Sequence, residues 1–111
     1  MDQITWEDFA KVEFRVGQIV EAVKVEGSEK LIRMVVDFGE FGKKIVFSGI
    51  RKYYQPEELL DKKTIFVVNM APKKIMGEES QAMIFAAEDE VNDKLSILVL
   101  ENDLSNGSRV F

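Results

Sequence analysis

The chain has 111 residues, 46 % of them hydrophobic and 32 % charged, a globular balance and a length suited to one domain spanning 1–111. It contains no cysteine and no histidine, which excludes a disulfide frame, a thiolate or imidazole metal site and a Ser-His-Asp triad. Net charge is −5, yet between Lys43 and Lys74 eight basic residues (Lys43, Lys44, Arg51, Lys52, Lys62, Lys63, Lys73, Lys74) face three acids (Glu57, Glu58, Asp61). Local potential steers a polyanion, so a basic face can coexist with an acidic back.

A short helix is expected at the start, with Thr5 as cap, Glu7 and Asp8 at its positive end and Ile4 stapled onto Phe9. Arg15 to Val23 reads as a strand, with Gly17 marking a bulge or barrel bend. Leu31 to Phe38 alternates, placing Ile32, Met34, Val36 and Phe38 on one face and Arg33 and Asp37 on the other. Phe38-Gly39-Glu40-Phe41-Gly42 reads as the turn into a third strand, Lys44 to Ile50. Pro56, Glu57 and Glu58 open a short helix that is expected to bury Leu59 and Leu60. Thr64 to Met70 is a β-branched and aromatic strand. A polar loop, Ala71 to Glu79, leads into Ser80 to Ala87, and Leu95 to Leu100 forms a last long strand before a short tail. No apolar run approaches the ~20 residues a membrane helix needs. Met1-Asp2-Gln3-Ile4 lacks the features of a signal peptide, so the expected setting is the cytoplasm.

Strands with one short helix between the third and fourth match an all-β OB-fold, a five-stranded Greek-key barrel. An SH3-like barrel is the nearest competitor, disfavoured by the helix placement. Catalytic constellations are scarce. Ser80 with Lys73 or Lys74 would need a desolvated lysine as base, and these lysines fall in a polar loop. Glu78-Glu79 and Glu88-Asp89-Glu90 fit no calcium loop. The expectation is a binding module with no metal and no cofactor, not an enzyme.

The informative stretch is Asn69-Met70-Ala71-Pro72-Lys73-Lys74-Ile75-Met76-Gly77-Glu78-Glu79-Ser80-Gln81-Ala82-Met83. It resembles the Asn-Leu-x-Pro-x-Lys-x-x-Gly-x-x-Ser-Gln-Gly-Met signature of the tRNA-binding domain family, found at the end of methionyl-tRNA synthetases and in CsaA-like stand-alone proteins. Phe9-x-Lys11-Val12-Glu13-Phe14-Arg15-Val16-Gly17-x-Ile19, Glu29-Lys30-Leu31, Ser48-Gly49-Ile50 and Tyr53-Tyr54-x-Pro56-Glu57-Glu58-Leu59 resemble further landmarks of that family in the same order. Three positions depart from its pattern: Ala82 stands where glycine is usual, Val25-Glu26-Gly27 replaces His-Pro-Asn, and Met76 replaces a basic or aromatic residue.

The resemblance implies a non-catalytic domain that binds tRNA by structure rather than sequence, as a homodimer, with a methionyl-tRNA synthetase as a possible associate. It implies an RNA-binding set of Lys30, Asn69, Lys73, Lys74, Ser80 and Met83. Lysines suit phosphates, Asn69 and Ser80 offer donors and acceptors, and Met83 offers an apolar surface for a base. Each has a structural alternative: Asn69 can satisfy backbone groups at a strand end, Ser80 can close the loop, and Met83 can lie in the core. The rival functions are a CsaA-like chaperone for unfolded polypeptide, marked by an exposed apolar groove, and a protein-protein adaptor of a synthetase complex.

Overall fold

The computed structural model describes residues Met1–Phe111. Helix α1 (Trp6–Ala10) is capped as its sequence requires, Thr5 Oγ1 accepting from the Asp8 N–H at 3.1 Å. Strands β1 (Phe14–Lys24), β2 (Ile32–Asp37) and β3 (Lys43–Ser48) then form an antiparallel meander. The period-two pattern of β2 holds: Ile32, Met34, Val36 and the following Phe38 are fully buried. Arg33, Val35 and Asp37 look outward and stay partly exposed, as alternation along a pleated strand demands.

Gly17 has a different reason from the expected bulge. A Cβ there would meet Val36 Cγ1 at 2.5 Å and Phe38 Cε1 at 2.6 Å, so glycine lets β1 lie against the core chains of β2. The irregularity in pairing falls two residues later, between Ile19 and Glu21. Phe38 and Phe66 meet edge to face with ring centroids 5.2 Å apart, filling the barrel beside Gly17.

Helix α2 (Pro56–Leu59) follows β3 and carries a capping box, the Gln55 N–H donating to Glu58 Oε1 at 2.8 Å. Leu59 is buried, but Leu60 remains 46 % exposed. The helix stops at Leu59 and the backbone of Leu60 is extended (ψ 134°), which turns its side chain off the buried stripe. Strand β4 (Lys63–Val67) pairs with the other edge of β1. Strands β5 (Lys73–Ile75) and β6 (Glu78–Ser80) form a hairpin, and β7 (Met83–Ile84) returns to pair with β4.

The main sheet runs β3-β2-β1-β4-β7. It closes between β3 and the chain joining β6 to β7: the Gln81 N–H donates to the Ile45 carbonyl at 2.8 Å and the Ile45 N–H returns to Gln81 Oε1 at 2.8 Å. The Phe47 N–H is taken by Ser80 Oγ at 3.0 Å. Side chains thus do the work of a ladder where the backbones diverge. The result is the expected five-stranded OB-like barrel, its short helix lying between β3 and β4.

The C-terminal third does not form one long strand. A second hairpin, β8 (Ala86–Asp89) and β9 (Lys94–Ile97), stands outside the barrel, tied to it by the Ile97 N–H donating to Tyr54 Oη at 3.0 Å. The tail wraps back to β1: the Gly107 N–H donates to the Val16 carbonyl at 2.7 Å, and β10 (Arg109–Val110) pairs with Phe14 and Arg15. No helix is long and apolar enough to cross a membrane.

Candidate nucleic-acid interface

The stretch expected as a polar loop is a two-residue hairpin. Its turn, Met76-Gly77, has φ of 52° and 84°, the doubly positive pair that suits the right-handed twist of the flanking strands. The register pairs Lys73 with Ser80, Lys74 with Glu79 and Ile75 with Glu78. Successive residues of a strand face opposite ways, so the two lysines do not act side by side. Lys73 shares its face with Ile75, Glu78 and Ser80, the face whose Glu78 and Ser80 reach the barrel. Lys74 points the other way, opposite Glu79. Both lysines are exposed, and neither takes part in an ion pair.

The hairpin leans over β2 and β3. Arg33 on β2 forks onto Glu78, with Nε to Oε1 at 2.7 Å and Nη2 to Oε2 at 3.0 Å. That hydrogen bonding holds the Glu78 carboxyl below its ordinary range and raises the Arg33 guanidinium. Lys30 lies in the loop between β1 and β2. The Ser28 hydroxyl accepts from the Lys30 and Leu31 N–H groups at 3.3 and 3.2 Å, and Lys30 is exposed with its ammonium unpaired. This loop approaches the hairpin tip, since a Cβ on Gly27 would stand 3.6 Å from Met76 Cε. Met83 is 43 % exposed on β7 and does not enter the core.

Ser80 and Asn69 have their polar groups engaged within the fold. Ser80 Oγ holds the barrel seam through Phe47. Asn69 Oδ1 accepts from the Glu13 N–H at 2.8 Å and its Nδ2 donates to the Lys11 carbonyl. Asn69 therefore ties the end of β4 to the segment after α1, away from the hairpin. Ala82 is only 7 % exposed and belongs to the core cluster. Its methyl fills the barrel interior and takes no room from a ligand outside.

A second surface lies at the chain termini. Ile4, Thr5, Trp6, Phe9 and Phe111 line one hollow, with Trp6 86 % and Phe111 93 % exposed. Beneath it the rings of Trp6, Phe9, Phe14 and Phe85 follow one another at centroid distances of 6.4, 5.6 and 5.5 Å. Adjacent exposed rings are unusual for a surface that meets only water.

The acids after residue 75 are divided between paired and free. Three of them return to the basic strands and loops: Glu78 to Arg33, Asp93 to Lys52 at 2.9 Å, and Asp103 to Lys63 at 2.9 Å. Asp93 also accepts from Tyr53 Oη at 2.9 Å. Hydrogen bonds from Lys52 and Tyr53 hold the Asp93 carboxyl low, while bonding to Asp93 pushes both partners up. Near the hairpin, Lys30, Lys73 and Lys74 form no ion pair, and neither do Lys43 and Lys44 on β3. No group of His, Cys, Asp or Glu side chains is placed to hold a metal ion. Sequence reasoning missed Arg33 and Gln81 as parts of this site. The outward phase of β2 marked the first, and the second lay inside the signature.

The family described as "Putative tRNA binding domain" matches residues 14–109. This chain belongs to the tRNA-binding domain family. Among curated proteins it is 51 % identical over 110 residues to the methionine–tRNA ligase of Caldanaerobacter subterraneus and 44 % identical over 110 residues to that of Methanococcus aeolicus. Each match covers 99 % of this chain but 17 % and 16 % of those ligases, so the chain spans a small part of the relatives' length. Among solved structures, a methionyl-tRNA-synthetase-related protein from Pyrococcus horikoshii superposes with a TM-score of 0.92 at 38 % identity, over 100 % of both chains. The chaperone CsaA of Bacillus anthracis superposes with a TM-score of 0.88 at 30 % identity, over 99 % of this chain and 100 % of that one.

Proposed function

We propose that this domain binds tRNA without catalysing a reaction, holding the phosphate backbone of a folded RNA between the β5–β6 hairpin, the Lys30 loop and the outer face of β2 and β3. The observation that carries the reading is that the family's signature folds into a hairpin presenting unpaired lysines beside a barrel face. Such lysines release counterions when they meet phosphates, which makes binding salt-dependent. Exposed rings are missing from this edge: Trp6, Phe9 and Phe111 gather at the termini and Phe41 lies under the Arg15 guanidinium. Without stacking platforms, recognition follows shape and charge and not base sequence. The ligase relatives support a role accessory to a methionyl-tRNA synthetase, and the whole-length likeness to the Pyrococcus horikoshii protein supports a free-standing one, in either case in the cytoplasm. The terminal aromatic surface is where two copies pair into a homodimer, setting two grooves on one particle and raising avidity through effective concentration.

Titration of mixed tRNA at three salt concentrations tests the reading. Similar affinities for different tRNAs, falling steeply with salt, are expected. Tight binding of one short unpaired sequence with little salt dependence would defeat it. A second reading, a chaperone for unfolded polypeptide, draws on the apolar terminal hollow and the likeness to CsaA. It wins if an unfolded polypeptide binds well and competes with no RNA.

A further inference from the structure

The geometry points to the Arg33–Glu78 pair as the positioning device of the hairpin: it holds β5–β6 against the barrel so that Lys73 faces the groove, and Arg33 is not itself a phosphate contact. This rests on the tRNA reading given above and adds to it the residues that orient the site. The hairpin is rooted at β3 by Ser80 and Gln81. Beyond that root it is a two-stranded finger of three residues a side with its own sheet, and an isolated two-stranded ribbon is marginal in water. Two residues further out, Glu78 reaches the outer face of β2, where Arg33 stands between the fully buried Ile32 and Met34. Core residues on both sides fix the backbone from which the guanidinium projects. The fork uses both carboxylate oxygens, so it fixes direction as well as distance. Glu78 pairs across the hairpin with Ile75, on the face that also carries Lys73. Turning the finger about its root would swing that ammonium with it.

Positioning and simple electrostatics predict effects of opposite sign. Glu78 is a negative charge beside a surface proposed to meet a polyanion. If charge alone mattered, Glu78→Gln would tighten tRNA binding. If the pair positions the hairpin, the same change weakens it, by roughly three- to tenfold for a coupled contacting pair. Arg33→Lys keeps the charge but loses the fork and is expected to weaken binding by a similar factor. The exchanged pair, Arg33→Glu with Glu78→Arg, should recover most of the affinity. The salt slope should stay unchanged throughout, because the RNA-bound state still sets Lys73 on its phosphate and only the population of the correctly placed free hairpin falls.

The experiment combines tRNA titration at three salt concentrations with hydrogen exchange of the free protein. Supporting results are weaker binding at constant slope, faster exchange confined to the β5–β6 amides, and recovery in the exchanged pair. Tighter or unchanged binding in Glu78→Gln overturns the inference. Weaker binding with unaltered hairpin exchange also overturns it, since Glu78 would then touch the RNA itself. A slope reduced by about one in Arg33→Gln would make Arg33 a phosphate contact and overturn it as well. If the unaltered protein binds no tRNA at any salt, the proposed function fails first. The exchange measurement then still decides whether the pair holds the hairpin.

Discussion

The hairpin edge and the terminal surface of this molecule solve opposite problems. On the hairpin edge the exposed apolar groups are the flexible methionines Met76 and Met83, the carboxylate of Glu78 is spent on Arg33, and Lys30, Lys73 and Lys74 are left without ion-pair partners. At the termini, α1 and the last residues bring together Ile4, Trp6, Phe9 and Phe111, with the Arg109 guanidinium 5.2 Å from the Phe111 ring centroid. Unpaired ammonium groups suit a solvated polyanion that can be released by salt, whereas contiguous rings suit a permanent dry contact. Asn69 makes the contrast sharper, because a residue from the RNA signature serves the terminal region, bracing Glu13 and Lys11. The family signature is therefore one sequence feature split between two surfaces.

The largest expected effect tests the apolar side. Trp6→Glu should weaken self-association by about thirtyfold or more, the loss typical of a central aromatic anchor. Light scattering would show the particle falling from twice 12.7 kDa to 12.7 kDa. An unaltered protein already monomeric at high concentration would break the comparison outright. Ser80→Ala comes next, because it strips the Phe47 N–H of its partner in a part-buried seam. A cost of about 1–2 kcal/mol in stability is expected, visible in thermal melts alongside weaker tRNA binding.

Lys73→Ala should leave the melting curve alone, since exposed charges contribute about 0–1 kcal/mol. It should weaken tRNA binding severalfold and lower the salt slope by about one. Lys74→Ala, on the opposite face beside Glu79, should do less, and Lys94→Ala on the second hairpin should do nothing. Equal effects from all three would mean diffuse attraction and no defined site. Smaller still, Met76→Asn replaces a residue strained at positive φ by one that tolerates it, and should stabilise the chain by about 0.5–1 kcal/mol.

The smallest effect is in pH. The Asp93 carboxyl is held low by Lys52 and Tyr53, so its contribution is present above the ordinary carboxylate range and fades as pH falls through the depressed value. Lys52 and Tyr53 are raised, so theirs is present below their ordinary values and fades as pH rises through the elevated ones. The β8–β9 hairpin should therefore stay latched from about pH 4 to about pH 10. Nuclear magnetic resonance shifts of the Asp93 and Tyr53 side chains across that range would check it.

Much of the fold was legible because burial repeats along the chain. The alternation from Ile32 to Phe38 named four core residues, Thr5 named a cap, and Pro56-Glu57-Glu58 named a helix start. The reading failed where a few residues decide between extended and turning backbone. Ala71 to Glu79 is polar and contains proline and glycine, as loops do, yet Met76-Gly77 closes a ladder inside it. Leu60 follows Leu59 and looks equally buried until the helix ends between them. Ala82, where the family usually has glycine, lies in the core, which only the folded chain shows.

Sequence alone determined an all-β chain with a short helix between its third and fourth strands, because strand periodicity, capping and turn residues are local properties that each short segment carries with it. The pattern favoured an OB barrel over an SH3-like one, and the structure decided it. Sequence also determined the family, through motifs spread from Phe9 to Met83. Only the tertiary structure decided which charges remain free. Arg33, Lys52 and Lys63 find carboxylates 45, 41 and 40 residues away, and no count of charges along a chain can see such pairs. It likewise separated Lys73 from Lys74 and Asn69 from Ser80, since the direction of a side chain depends on strand register. Register is set by partners distant in sequence.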